Sequence, residues 1–226
     1  MTSLVTMPLS ADPCRVAVQL RHTGVHVTHD SRAIEALADQ FLERHCVRLP
    51  GFLGPELLSL VQRRVDETPF HYRDHRHGDF VELAMERQSA HRILMWLLND
   101  RMLFAAVQRI TGCGSIGSFG GRVYRLDPSV YHTKTWHSDT GDARLVGVSV
   151  NLGSQPFTGG ELEIRDAKSH DILATVHNVG PGDAVMFRID KALQHRLANV
   201  RGDVAKTACA GWFKAQPVFE EIHVRM

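Results

Sequence analysis

Residues Tyr131 to Leu152 read YHTKTWHSDTGDARLVGVSVNL and carry the most informative pattern in the chain. Inside this stretch, His137, Ser138 and Asp139 form an H-x-D triplet in a strand-like setting. Side chains alternate between the two faces of a strand, so the imidazole and the carboxylate of this triplet are expected on one face. The triplet therefore predicts two ligands of a metal site built on a β-strand.

A second histidine far along the chain completes the ligand set. His195 stands in LQHRLANV, which also reads as a strand. Two histidines and one carboxylate, with the other metal positions open, suit non-haem Fe(II). Lys206 follows on the next predicted strand, where its ammonium group could reach a dicarboxylic ligand chelated to that metal. We therefore predict that His137, Asp139 and His195 bind a metal ion.

The order of these motifs resembles the Fe(II)- and 2-oxoglutarate-dependent dioxygenases, nearest the prolyl-hydroxylase-like branch. In that family an H-x-D triplet is followed by a distal histidine, then by Arg or Lys on a strand that ends in an aromatic pair. Trp212 and Phe213 match that pair. Three more segments fit, namely V-N-L at 150–152, G-G-E-L at 159–162 and P-G-D-A-V-M-F at 181–187. The resemblance covers residues 115 to 215.

The resemblance implies a cofactor set and a co-substrate site. Fe(II) would be held by the triad, and 2-oxoglutarate would chelate it, with ascorbate as a candidate stimulant. Lys206 would bind the distal carboxylate of 2-oxoglutarate, and Arg201, before the turn residue Gly202, is the alternative cation. Tyr124 is the candidate hydroxyl because its strand precedes the H-x-D strand, with Tyr131 as the alternative. Asn151 resembles the family's strand asparagine near the co-substrate.

Hydrophobic patterning divides the chain into a helical part and a β-rich part. Apolar residues recur at helical spacing in four segments before residue 111. After it, short strands separated by turn residues are predicted at 115–119, 121–126, 130–138, 145–152, 161–165, 172–179, 183–188, 194–200 and 204–214. This pattern predicts a mainly β fold with flanking helices (α+β), whose core is closed or two-sheeted. The resemblance makes that core a double-stranded β-helix, similar to a jelly roll.

A length of 226 residues suits a single domain. Within it, residues 31–111 are expected to form a mainly helical N-terminal support and residues 115–215 the catalytic core. The 26 basic and 25 acidic residues nearly cancel, so no nucleic-acid partner is expected. No apolar run reaches membrane-spanning length, so no membrane partner is expected either. The four cysteines lie far apart and are interpreted as free thiols of a cytoplasmic protein.

The resemblance implies a function, which is hydroxylation of a C–H bond by dioxygen in a small molecule or a free amino acid. A peptide or protein hydroxylase is one alternative, and a non-catalytic, cupin-like metal-binding or sensor protein is another. Desaturation would use the same site. A homodimer is a candidate assembly.

Other residues near these motifs are expected to have structural roles. Trp136 is expected to pack on the face opposite His137, and Asp183 to be a turn residue. Arg122, Arg125 and Arg144 are expected to be exposed strand arginines, and a salt bridge to a substrate carboxylate is the alternative for each.

The segment FHYRDHRHGD at residues 70–79 is unusually polar. It is expected to be a surface loop. A lid over the substrate and a second metal site from His71, His75 and His77 are the alternatives.

Overall fold

The computed structural model describes residues 16–74, 81–86, 89–129 and 135–216. Four helices are present in these ranges: α1 (Ser31–Arg44), α2 (Pro55–Asp66), α3 (Ser89–Leu98) and α4 (Arg101–Thr111). The strands before α4 are β1 (Val18–Arg21), β2 (Gly24–Val27), β3 (Cys46–Leu49), β4 (Phe70–Asp74) and β5 (Val81–Met85). Those after it are β6 (Ser118–Leu126), β7 (Arg144–Asn151), β8 (Thr158–Gly159), β9 (Leu162–Asp166), β10 (Ile172–Val176), β11 (Ala184–Arg188), β12 (Leu193–Leu197), β13 (Val200–Arg201) and β14 (Lys206–Lys214).

Helix ends follow local capping chemistry. The carboxylate of Asp30 caps α1 by accepting a 3.0 Å hydrogen bond from the backbone N–H of Arg32. Asp100 caps α4 in the same way, and α4 ends at Gly112, whose φ of 65° is left-handed. These caps fix where the helices that support the sheet begin and end.

The strands form a two-sheet sandwich. The major sheet has seven antiparallel strands in the order β3-β11-β7-β14-β6-β5-β4, and the smaller sheet has the order β10-β9-β12. The helices pack on one face of the major sheet and share a single apolar core with it. The smaller sheet packs on the other face, where Leu162 and Ile164 meet Val185 and Phe187. This arrangement confirms the predicted sheet-rich, double-stranded β-helix core.

Strand β14 turns one face towards the helices and the other towards the space between the two sheets. Cys209 and Phe213 are buried against the helices. Lys206, Ala210 and Trp212, at positions of the other parity, line a cavity between the two sheets. One strand therefore supplies both packing side chains and cavity side chains.

The structure departs from the predicted elements in three places. The two strands expected at 115–119 and 121–126 are one continuous strand, β6. Of the strand expected at 130–138, residues 130–134 lie outside the described residues, and beyond them only His137 forms a bridge. In the N-terminal part, β3, β4 and β5 all join the major sheet. Their pairing is with strands distant in sequence, which local periodicity does not reveal.

The polar segment at 70–79 is not simply a loop. Its first half is the edge strand β4, which pairs with β5, and β5 in turn pairs with β6 at Tyr124 and Arg125. Residues 75–79 lie outside the described residues, so the lid and second-metal alternatives stay predictions. In the described ranges, no helix is long and apolar enough to cross a membrane.

Gly147 on β7 creates room beside the cavity. A Cβ atom placed there would overlap the ring of Phe187 on the adjacent strand. That ring packs against the imidazole of His195, with 4.7 Å between ring centroids. The absence of a side chain at Gly147 therefore lets Phe187 support His195.

We expect Gly147→Ala to destabilise the protein by about 1–3 kcal/mol, because overpacking a filled interior forces neighbours out of position. Gly114→Ala is the matched control, since no atom lies within 4 Å of a Cβ built at Gly114. Urea unfolding of both variants measures the difference. Equal stabilities would show that the Phe187 ring moves at no cost.

Candidate active site

Two backbone hydrogen bonds bring the distant histidines together. The N–H of His137 donates to the carbonyl of His195 at 3.2 Å, and the N–H of His195 donates back at 2.9 Å. The two residues form an isolated antiparallel bridge at the edge of the smaller sheet. Their ring centroids are 4.5 Å apart. The bridge thus sets two imidazoles side by side at the cavity wall.

The carboxylate of Asp139 joins them through a turn rather than through strand alternation. Asp139 has a φ of 55°, so the strand does not continue through it. Its Oδ2 lies 3.7 Å from Nε2 of His137 and 3.3 Å from Nε2 of His195. The predicted proximity is therefore present, but the same-face argument behind it is wrong. A left-handed residue costs about 1–2 kcal/mol, less for Asp, whose short polar side chain favours it.

The three side chains offer a suitable donor set for a divalent metal. One ligand atom from each lies within 4.8 Å of the other two. Nδ1 of His137 is 2.8 Å from the carbonyl of Thr135, which accepts its proton and leaves Nε2 as the lone-pair nitrogen. Two imidazole nitrogens and one carboxylate oxygen on a single side fit Fe(II), since the opposite side opens into the cavity.

Arg144 and Trp212 hold the carboxylate of Asp139 from behind. Nη1 of Arg144 donates to Oδ1 at 2.8 Å, and the indole Nε1 of Trp212 donates to Oδ2 at 2.9 Å. The guanidinium group also lies 3.9 Å from the indole centroid. Burial raises the pKa of Asp139, but a hydrogen bond to His195 and the charges of His137, His195 and Arg144 outweigh it and hold the pKa at about 2. Asp139 is therefore an anion at neutral pH.

The cavity between the sheets has a volume of about 490 Å³ and contains the predicted lysine. Lys206 is buried, and its ammonium group donates to the carbonyl of Gly160 at 2.7 Å. Its Nζ also lies 5.5 Å from the ring centroid of Phe157. Arg201, the alternative cation, does not line the cavity. Its side chain is 72% exposed and lies 3.8 Å from Glu161.

Two of the other residues predicted near the co-substrate, Tyr124 and Asn151, also line the cavity. Tyr124 is buried and lines the cavity, where burial raises the pKa of its hydroxyl group and Ser149 is its hydrogen-bond partner. Asn151 also lines the cavity, but its amide donates to the carbonyl of Val179 at 2.7 Å and accepts from the N–H of Gly153 at 2.9 Å. Asn151 thus fixes the backbone at the cavity rim. Tyr131 lies outside the described residues.

The arginines that were expected to be exposed form ion pairs or hydrogen bonds instead. Arg122 lines the cavity and makes a two-pronged ion pair with Glu82, at 2.5 Å and 2.8 Å. Glu82 is completely buried, and its hydrogen bonds and charge raise the pKa of Arg122 against the lowering effect of burial. Arg125 donates to the hydroxyl of Thr207 at 3.0 Å. No local motif marks Glu82, because its partner lies on another strand.

Comparison with known proteins agrees with this geometry. Residues 125–214 match the family model described as the 2OG-Fe(II) oxygenase superfamily. No curated protein matches the chain by sequence.

Similar solved structures share the fold at low sequence identity. A Pseudomonas putida prolyl-4-hydroxylase has a TM-score of 0.60 and 19% identity, covering 81% of this chain and 99% of its own. A Trichoplax adhaerens prolyl hydroxylase, in complex with a hypoxia-inducible-factor peptide fragment, has a TM-score of 0.58 and 14% identity over 81% and 90% of the two chains. The epimerase SnoN from nogalamycin biosynthesis has a TM-score of 0.58 and 15% identity over 82% of each. SnoN is also known in complex with Fe3+, alpha-ketoglutarate and nogalamycin RO.

We expect Arg144→Gln to weaken divalent metal binding by about 10- to 100-fold, the usual effect of removing a partner that orients a metal ligand. Co(II), which air does not oxidise readily, serves as the titrant. Arg92→Gln is the control, because Arg92 is exposed on α3. Equal Co(II) affinity in the Arg144 variant and the wild type would show that Trp212 alone positions the carboxylate.

Proposed function

We propose that the protein is an Fe(II)- and 2-oxoglutarate-dependent oxygenase, in which His137, Asp139 and His195 bind the iron and Lys206 anchors 2-oxoglutarate. The match of residues 125–214 to the 2OG-Fe(II) oxygenase family model supports this proposal. The observation that carries the proposal is the convergence of three ligand atoms within 4.8 Å at the wall of a cavity that also contains a buried lysine. With iron and 2-oxoglutarate bound, such a site reduces dioxygen, converts 2-oxoglutarate to succinate and carbon dioxide, and oxidises a C–H bond of the substrate.

Asp139 would bind the metal through one oxygen. Oδ2 faces both histidines, whereas Oδ1 accepts the hydrogen bond from Arg144. His137 would bind through Nε2, because its Nδ1 proton is directed to the carbonyl of Thr135. These contacts fix the orientation of the donors, and oriented donors lose less freedom on binding.

Lys206 would hold the distal carboxylate of 2-oxoglutarate. A buried ammonium group is costly unless an opposite charge or hydrogen bonds compensate for its lost hydration. Here the ammonium group donates to the Gly160 carbonyl at the cavity wall. A carboxylate of the dianionic co-substrate would form a charge-assisted hydrogen bond with the same group. Tyr124, buried in the same cavity, is the proposed hydroxyl partner.

The substrate we propose is a small molecule or a free amino acid, hydroxylated at a C–H bond. The support is the cavity between the two sheets, whose wall includes the apolar side chains of Phe157, Leu162, Val185 and Phe187. A residue of a peptide is the alternative substrate. The cupin-like, non-catalytic alternative is not retained, because the family match is to oxygenases.

We expect His137→Ala and Asp139→Asn each to reduce 2-oxoglutarate-dependent succinate formation by more than about 100-fold, since each removes a metal ligand rather than an outer partner. Asparagine is chosen at position 139 because it tolerates a positive φ. His29→Ala, at an exposed position, is the control. Wild-type turnover in both ligand variants would refute the iron assignment.

We expect Lys206→Ala to raise the apparent 2-oxoglutarate constant by roughly 10- to 150-fold. The reason is that a charge-assisted hydrogen bond contributes about 1.5–3 kcal/mol. Arg201→Ala should leave the constant unchanged because its side chain is exposed. Steady-state succinate formation at varied 2-oxoglutarate measures both. The reverse pattern would move the assignment to Arg201.

A further inference from the structure

His137 lies in a segment that forms almost no strand pairing. His137 is the one bridge residue among the described positions from 135 to 143, and Asp139 turns away with a left-handed backbone. By contrast, His195 lies inside β12, paired along its length with β9. Two backbone hydrogen bonds therefore hold His137 beside His195 in the plane of the sheet.

The outer side of the same sheet carries an organised polar surface. Side chains next to a histidine on a strand point to the opposite face. Gln194 and Arg196 flank His195, and in the strand register they lie opposite Arg165 and Glu163 of β9. Arg165 donates to Oε1 of Gln194 at 2.9 Å and 2.7 Å, and Arg196 donates to Oε2 of Glu163 at 2.6 Å.

Trp136, the residue before His137, contacts both of these arginines. The Cζ atom of Arg165 lies 4.3 Å from the Trp136 ring centroid, and that of Arg196 lies 4.5 Å from it. Both distances are within the range of cation–π attraction. Each guanidinium group is already held by its cross-strand partner, so little side-chain freedom is lost when the indole packs against it. The packing expected for Trp136 is therefore a pair of cation–π contacts with Arg165 and Arg196.

We propose that Trp136, Arg165 and Arg196 form an outer clamp that fixes His137 beside His195, so that they act as positioning residues for the iron ligands. The clamp reaches both histidines through their immediate sequence neighbours, Trp136 and Arg196. The backbone bridge holds His137 in the plane of the sheet, and the indole of the preceding residue packs on the outer face. The part concerning iron rests on the proposed function, whereas the part concerning the backbone does not.

Loosening the clamp should affect the two histidines unequally. His195 would keep its place in β12, because Ile164 and the rest of β9 still pair with that strand. His137 would lose its outer support, and its ring would spend less time within reach of Asp139. The fold would remain, but the donor set would have to be ordered again at each binding event. Metal affinity would therefore fall while overall stability changed little.

The test compares Trp136→Leu, which keeps apolar bulk but removes the aromatic face, with Trp136→Phe, which keeps it. An Arg165→Gln and Arg196→Gln double variant weakens the clamp from the other side. Trp96→Leu is the control, since Trp96 on α3 is 69% exposed. Two measurements are made on each protein: hydrogen exchange of residues 135–139 without metal, and titration with Co(II).

The clamp predicts faster exchange in segment 135–139 of Trp136→Leu and of the double variant, with β14 unchanged. It also predicts a fall in Co(II) affinity of about 10-fold or more, as is usual for outer partners of metal ligands. Trp136→Phe should restore most of both properties, and Trp96→Leu should match the wild type. If Trp136→Leu does not fold, the double variant decides.

Wild-type exchange and wild-type Co(II) affinity in the variants would overturn the clamp. So would a loss in Trp136→Leu that Trp136→Phe does not restore, since this would indicate simple loss of fit. Failure of the proposed function has a different signature. In that case the wild-type protein itself binds no Co(II) and forms no succinate, while the exchange difference between the variants remains.

Discussion

The hydrogen-bonded bridge between His137 and His195 is the constraint on which the rest of the site depends. It joins a segment without a strand ladder of its own to β12, which is fixed by β9. Because His137 is placed by this contact, the turn that follows brings Asp139 between the two imidazoles.

The major sheet gives this donor set its surroundings. Strand β14 presents Trp212 to Asp139 and, at its other end, Lys206 to the cavity, while Phe213 and Cys209 pack against the helices. A rigid strand between the two groups fixes the distance between the proposed metal site and the proposed co-substrate cation. Such fixed spacing suits a ligand that must bind both at once.

Much of this could be predicted from the sequence because the decisive residues form a strict linear order. The H-x-D triplet, the distal His195 and Lys206 are recognisable by type and spacing, and the sheet-rich fold follows from the two-residue alternation. The resemblance to the Fe(II)- and 2-oxoglutarate-dependent oxygenases was predicted, and residues 125–214 do match the 2OG-Fe(II) oxygenase family model. The substrate class stays a proposal, because it depends on the shape of a cavity that no linear pattern encodes.

The features that sequence reasoning missed are those made by contacts between distant strands. Arg144 looks like an exposed strand arginine until its position beside Asp139 and Trp212 is known. Glu82 carries no motif, yet it is completely buried against Arg122. Asp139 itself was predicted for an incorrect reason, since its left-handed backbone is a property of the folded turn.

The most direct test of the account is an anaerobic crystal structure with Fe(II) and 2-oxoglutarate, using anomalous scattering at the iron edge. The account predicts one iron peak bonded to Nε2 of His137, Oδ2 of Asp139 and Nε2 of His195. It also predicts that the far carboxylate of 2-oxoglutarate lies against Nζ of Lys206. An iron peak elsewhere, or that carboxylate against another cation, would contradict it.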